Sequence, residues 1–225
     1  MTGNEPIPAA TVVLLREAPE VQVLMLHRTS EVAFGGMWVF PGGRIDPPDY
    51  PPSGDPELAA RNAAVREAAE EAGVVCRPEG FVWFAHWTPP PIAPRRFATW
   101  FFAARADDQA ITVDGGEIRD HAWLSPAAAL ARHAAGEIDL APPTWVTLHH
   151  LSAEGSVTAL LERLRSWGPR FYETHVGKGA DGVHVSMWRG DAGYEAWDPD
   201  VPGPRHRLVM SRGGFRFEYT IEDLG

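Results

Sequence analysis

The stretch Arg66-Glu67-Ala68-Ala69-Glu70-Glu71-Ala72-Gly73-Val74 has residue types and spacing suited to chemistry. On a helix, Glu67, Glu70 and Glu71 stand at i, i+3 and i+4, so three carboxylates share one face. Like charges at that spacing cost about a few tenths of a kcal/mol each. Arg66 can pair with Glu70 at i+4 and relieve part of that cost. Leu58, Val65, Ala69 and Ala72 fall on another stripe and are expected to face the core. Hard oxygen donors on a rigid backbone are what Mg²⁺ or Mn²⁺ requires, and such ions keep several waters and take phosphate oxygens as further ligands. Glutamates alone fit a solvated acidic helix face equally well, so the elements around them decide.

The helix is well delimited. Asp55 suits the N-cap, Pro56 the first helical position and Glu57 the positive end of the dipole, and Gly73 supplies the C-terminal stop. Upstream, Ala10 to Arg16 and Val21 to Arg28 read as two strands joined by a turn. Met37-Trp38-Val39-Phe40 reads as a third, stopped by Pro41-Gly42-Gly43. Two glycines there let backbone approach a ligand closely. The Pro-rich stretch from Pro47 to Gly54 is expected to be irregular. Gly80 to Trp87 and Phe97 to Ala104 are strand patterns around a Pro-rich loop, Thr88 to Arg96. Helices are expected from Ser125 to about Gly136, from Pro142 to about Leu151 and from Ser156 to Trp167.

In this context the chain resembles the Nudix box, G-x5-E-x7-R-E-U-x-E-E-x-G-U, with U a bulky aliphatic. Arg66, Glu67, Glu70, Glu71, Gly73 and Val74 match its second half, and Ala68 replaces the bulky residue. The first half departs. Gly43 to Arg66 spans 23 positions against 14 in the pattern, so nine residues are inserted, in the 47–54 region. Counting back from Arg66 puts the loop glutamate at Leu58, with Glu57 the nearest substitute.

The resemblance implies an α/β/α sandwich with a mixed sheet, and attack of water on phosphorus. It further implies that Glu67, Glu70 and Glu71 hold Mg²⁺ or Mn²⁺, that the Gly42 carbonyl is another ligand, and that Arg66 orients the carboxylates. Glu67, Glu70 and Glu117 are candidates for the general base. Residues 1–152 would form the Nudix domain. Residues 153–225 are expected to add a helix and a small antiparallel sheet, because short aromatic and β-branched runs alternate there with Gly and Pro turns.

Arg28-Thr29-Ser30 followed by Phe40-Pro41-Gly42-Gly43-Arg44-Ile45-Asp46 is similar to the signature upstream of the box in Nudix coenzyme A diphosphatases, with Phe34 where the signature has histidine. The insertion, the segment from Thr88-Pro89 to Phe102 and the run Leu140-Ala141-Pro142-Pro143-Thr144 also resemble the peroxisomal-type branch of that group. The implied substrate is coenzyme A or an acyl-coenzyme A. Alternatives are ADP-ribose, NADH or a dinucleoside polyphosphate, or a non-catalytic Nudix module that binds a nucleotide. Arg28, Arg44, Arg95 and Arg96 are candidates for phosphate contacts, because a guanidinium matches phosphate bidentately. Phe34, Trp38 and Trp87 could stack on adenine or serve as core residues.

Composition bounds the rest. The net charge of -10, with Lys178 the only lysine, argues against a nucleic-acid surface. Acids outnumber bases 19 to 11 in residues 1–152 and 11 to 9 in residues 153–225. With one cysteine, Cys76, there is no internal disulfide. No apolar stretch approaches the roughly 20 residues of a membrane span, so a soluble cytoplasmic protein is expected, with a homodimer allowed for. Gly177-Lys178-Gly179-Ala180-Asp181-Gly182 matches G-x-G-x-x-G on paper, but a strand pattern follows it, so it is expected to be a hairpin turn. The nine histidines show no metal-ligand spacing, and Gly-x-Ser-x-Gly is absent.

Overall fold

The computed structural model describes residues 5–29, 35–106, 109–153, 155–211 and 213–221. Ser30 and Phe34 lie outside these. Strands β1 (Ile7–Glu17) and β2 (Val21–Arg28) form the expected hairpin, and Trp38–Val39 makes a two-residue β3 against β2. Gly42–Arg44 forms β4 on β1. Next come α1 (Pro56–Ala72), β5 (Val82–Thr88), β6 (Phe97–Arg105), β7 (Ile118–Leu124), α2 (Pro126–Ala134), α3 (Pro142–Leu151) and α4 (Val157–Trp167). Strand β8 (Arg170–Glu173) precedes β9 (His175–Lys178), β10 (His184–Met187), β11 (His206–Ser211) and β12 (Gly214–Tyr219).

The main sheet is eight-stranded and mixed, ordered β3-β2-β1-β6-β5-β8, with β4 also on β1 and β7 also on β2. Pairs β1–β6 and β5–β8 are parallel and the others antiparallel. Strand period 2 sends Ala10, Val12 and Leu14 of β1 to the core beneath α1, and Val13 and Leu15 to the opposite core, where α2, α3 and α4 pack. The result is the expected α/β/α sandwich. No helix of the described residues is long and apolar enough to cross a membrane.

Helix α1 begins and ends as its sequence requires. The Asp55 side chain accepts from the N–H groups of Glu57 and Leu58, and Gly73 adopts φ +66°, where a side chain would be strained. Its buried stripe differs from expectation. Leu58 is 40% exposed and Ala69 is also exposed, while Ala59, Ala60, Ala63, Ala64, Ala68 and Ala72 are buried. Methyl groups are small enough to let the helix lie closely against β1, so bulk at Leu58 is turned outward.

Further differences concern strands, the first being Gly42–Arg44, which was expected to stop β3 as a turn and instead pairs with β1. Strand β7 was not expected, because Arg119, Asp120 and His121 interrupt its apolar pattern. In the 47–54 insertion, Pro47–Asp49 forms a single 3-10 turn. Beyond α4, β8 joins the main sheet beside β5, and the separate four-stranded sheet, ordered β12-β11-β10-β9, starts only at β9. The glycine-rich run makes the turn between β9 and β10, with Gly182 N–H donating to the Gly179 carbonyl. Trp188 and Leu208 bring this second sheet into the core under α3 and α4.

Candidate active site

The site is assembled where α1 crosses β4. Val12 N–H and Thr11 Oγ1 both donate to the Pro41 carbonyl, at 3.0 and 2.6 Å, and fix the turn that enters β4. Gly42 is pressed so closely on β1 that a Cβ would stand 2.5 Å from the Ala10 carbonyl oxygen. At Gly43 a Cβ would meet the Glu67 carboxylate. The glycine pair thus makes a shallow bed, and the Glu67 side chain occupies it.

Each glutamate has its own surroundings. Glu71 is buried and accepts from Gly42 N–H at 2.9 Å and from Arg28 Nη1 at 3.2 Å. Burial pushes its carboxyl up to about 8, against the pull of Gly42 and Arg28, and Glu67 and Glu117 add repulsion. Burial also raises Glu67, although Arg66 Nη1 donates to its Oε1 at 2.8 Å. Glu70 faces outward, its side chain 59% exposed, and takes 3.1 Å from the same Nη1. Among the described residues no group of three His, Cys, Asp or Glu side chains converges as a metal cluster. Arg66, Arg28 and Gly42 N–H draw the carboxylates to separate partners.

Of the other candidates, Arg28 and Glu117 are brought to the glutamates and paired with each other. Asp114 fixes the Glu117 loop by accepting from the N–H groups of Glu117 and Ile118, both at 2.9 Å. Arg28 Nε is buried without a hydrogen-bond partner. Arg44 pairs with Asp46 at the surface at 2.9 Å, and its carbonyl accepts from Arg66 Nη2. Arg95 and Arg96 lie on the loop entering β6. Sheet register puts Arg96 four residues along and two strands over from Gly43, roughly 16 Å by strand geometry. Trp38 and Trp87 are buried, stacked on His27 and Tyr172 respectively, and serve the core.

Sequence reasoning missed Asp49. Its carboxylate takes Arg66 Nε on Oδ1 at 3.1 Å and Nη2 on Oδ2 at 2.9 Å, with the Asp49 side chain only 6% exposed. Burial would raise the Asp49 carboxyl, but hydrogen bonds from Arg66 and Asp46 N–H hold it below its ordinary value. The available signal was an acid in an otherwise Pro-rich insertion, which spacing alone does not tie to Arg66.

A divalent cation fits this donor set. Glu67 and Glu71 offer hard oxygens, both are desolvated and mutually repelling, and the Gly43 bed leaves room for carboxylate where a side chain would stand. Such a pair is stabilised by positive charge.

A family model described as the NUDIX domain matches residues 5–144, and the chain belongs to the Nudix family. With the family comes the class, a hydrolase acting on pyrophosphate bonds, and Nudix hydrolases generally use divalent metal ions. The fold is shared with the NUDIX hydrolase from Alicyclobacillus acidocaldarius, at 22% identity over 71% of this chain and 96% of that one, TM-score 0.64. It is also shared with the NUDIX domain of Shewanella oneidensis NrtR complexed with ADP ribose, at 21% identity over 64% and 85%, TM-score 0.50. No curated protein matches the chain.

Proposed function

We propose that the chain is a Mg²⁺- or Mn²⁺-dependent diphosphatase that cleaves a nucleotide derivative, with coenzyme A or an acyl-coenzyme A as the substrate. One observation carries the catalytic part of this reading. Glu67 and Glu71 are held in a desolvated carboxylate pair against the Gly42–Gly43 bed, beside a cationic frame of Arg28 and Arg66. The coenzyme A assignment is supported by the similarity of Arg28-Thr29 and Phe40 to Asp46 to the coenzyme A diphosphatase signature.

In this reading Glu67, Glu70 and Glu71, with the Gly42 carbonyl, would hold the ion. A bound Mg²⁺ or Mn²⁺ supplies a Lewis acid that lowers the pKa of water and offsets phosphate charge. Arg66 holds Glu67 and Glu70 in place. Glu117, tethered through Arg28, stands close enough to repel Glu67 and Glu71 and is a candidate proton acceptor beside Glu67 and Glu70. Arg28, whose Nη1 and Nη2 hold Glu71 and Glu117, would set positive charge beside a substrate phosphate. Arg44, Arg95 and Arg96 would take more distant phosphates. The Nudix unit is proposed to carry the chemistry, with the C-terminal extension as its companion.

The test is a hydrolysis screen with Mg²⁺ and Mn²⁺ over coenzyme A, acyl-coenzyme A, ADP-ribose, NADH and diadenosine polyphosphates, with product identification. Release of 3′,5′-ADP singles out coenzyme A. Turnover of ADP-ribose alone would move the substrate to the class that the Shewanella domain binds. No metal-dependent turnover of any of them would refute the enzymatic reading.

A further inference from the structure

The box glutamate counted to position 58 has no counterpart there. Leu58 stands there, 40% exposed. Glu57, the nearest acid in sequence, is committed elsewhere: its Oε1 takes Arg61 Nη2 at 2.8 Å and Nε at 3.0 Å. The insertion instead brings Asp49 back over α1. Its carboxylate grips the Nε and Nη2 edge of Arg66, leaving Nη1 for Glu67 and Glu70.

Asp49 is itself fixed from two sides. Asp46 N–H donates to its Oδ2 at 2.8 Å, and its carbonyl accepts from Asn62 Nδ2 on α1 at 2.9 Å. We propose that Asp49 is the positioning residue of this site: from inside the insertion it holds Arg66, and through Arg66 the carboxylates of Glu67 and Glu70. The physical need is plain. A guanidinium released from Asp49 can turn its two-pronged edge onto Glu67 and compete with a cation for the same oxygens. The proposal rests on the diphosphatase reading only for the identity of that cation.

The test uses the full chain, with Asp49→Asn, Arg66→Gln, the double variant, and Glu57→Gln as control. Mn²⁺ alone is titrated without substrate, and kcat and KM are measured on coenzyme A and ADP-ribose. Asp49→Asn is expected to weaken Mn²⁺ binding and lower kcat by about 10- to 100-fold, the usual effect of removing a group that orients metal ligands. KM is expected to stay within about 3-fold, because the Asp49 carboxylate is only 6% exposed and spent on Arg66 and Asp46 N–H. Since Asp49 acts through Arg66, the double variant should bind Mn²⁺ about as well as Arg66→Gln alone, showing non-additivity. Glu57→Gln should match the parent protein.

Wild-type Mn²⁺ affinity in Asp49→Asn, or a double-variant loss equal to the product of the single losses, would overturn the proposal. If Asp49→Asn does not fold, Asn62→Ala decides, since it loosens only the anchor of the Asp49 backbone. Weaker Mn²⁺ binding there supports the role and unchanged binding removes it. The substrate-free titration keeps the outcome separate from the functional reading: a parent chain that binds Mn²⁺ yet hydrolyses nothing sinks that reading and leaves Asp49 assessed.

Discussion

Glu67 fills the space that any side chain at position 43 would need: a Cβ there would stand 2.5 Å from the Glu67 carboxyl carbon. The group in the way is the end of a flexible side chain, so the fold can yield while the carboxylate moves. Gly43→Ala is therefore expected to melt close to the parent protein while losing most Mg²⁺-dependent hydrolysis. Thermal unfolding and initial rates on coenzyme A and ADP-ribose check this. Unchanged rates would show that the position of Glu67 is immaterial.

Glu70→Gln and Glu71→Gln preserve shape and remove the ability to bind a cation as carboxylate. Each should lower turnover by orders of magnitude and keep the native circular dichroism spectrum. Normal activity in both variants would refute the assigned site.

Acid should loosen the junction between the main sheet and the C-terminal sheet. His150 lies there among His149, His206, Phe217 and Trp167. Burial, with the cations Arg170 and Arg163 and the neighbouring histidines, pushes it down to about 3. The unfolded chain then binds a proton below about 6.5 that the folded chain refuses. Stability is complete above 6.5 and falls toward pH 3, at up to about 1.4 kcal/mol per pH unit for this one group. Denaturation midpoints at pH 7, 6 and 5 should fall in the parent protein and fall less in His150→Gln. Equal slopes would remove His150 as the cause.

The C-terminal sheet has its own internal anchor. Arg207 donates to Asp191 through Nε at 2.7 Å and Nη2 at 2.6 Å, with side chains 6% and 0% exposed. Burial alone would raise Asp191, but these bonds hold it below the ordinary carboxylate range. Asp191→Ala would strand the guanidinium in the interior and should cost about 3–5 kcal/mol, read by chemical denaturation. A loss under about 1 kcal/mol would mean that Arg207 finds water or another acceptor.

Features written in local sequence were legible. Asp55, Pro56 and Gly73 mark both ends of α1, and the arginine and three glutamates lie within one nine-residue window. What depends on distant pairing was not. Nothing near Arg28 says that it will meet Glu71, 43 residues away. Asp49 reaches Arg66 only because the insertion folds back. The stripe on α1 was misread at Leu58 and Ala69 because helical spacing grouped them with Val65 and Ala72, whereas the close approach of helix and sheet selects the alanines one position away. Strand β7 was hidden by its charged residues, and the pairing of β8 with β5 by the helices between them.

That pairing reaches beyond the geometry of the sheet. The family match ends at residue 144, yet the last rung of the sheet is laid by residues 170–173. A chain cut after Leu151 would leave β5 with one bare margin, its backbone donors and acceptors open to any other molecule's strand, and would uncover the Trp87 ring that Tyr172 now shields. Expressed alone, such a fragment is expected to gather into aggregates, since its sheet would end on an open strand.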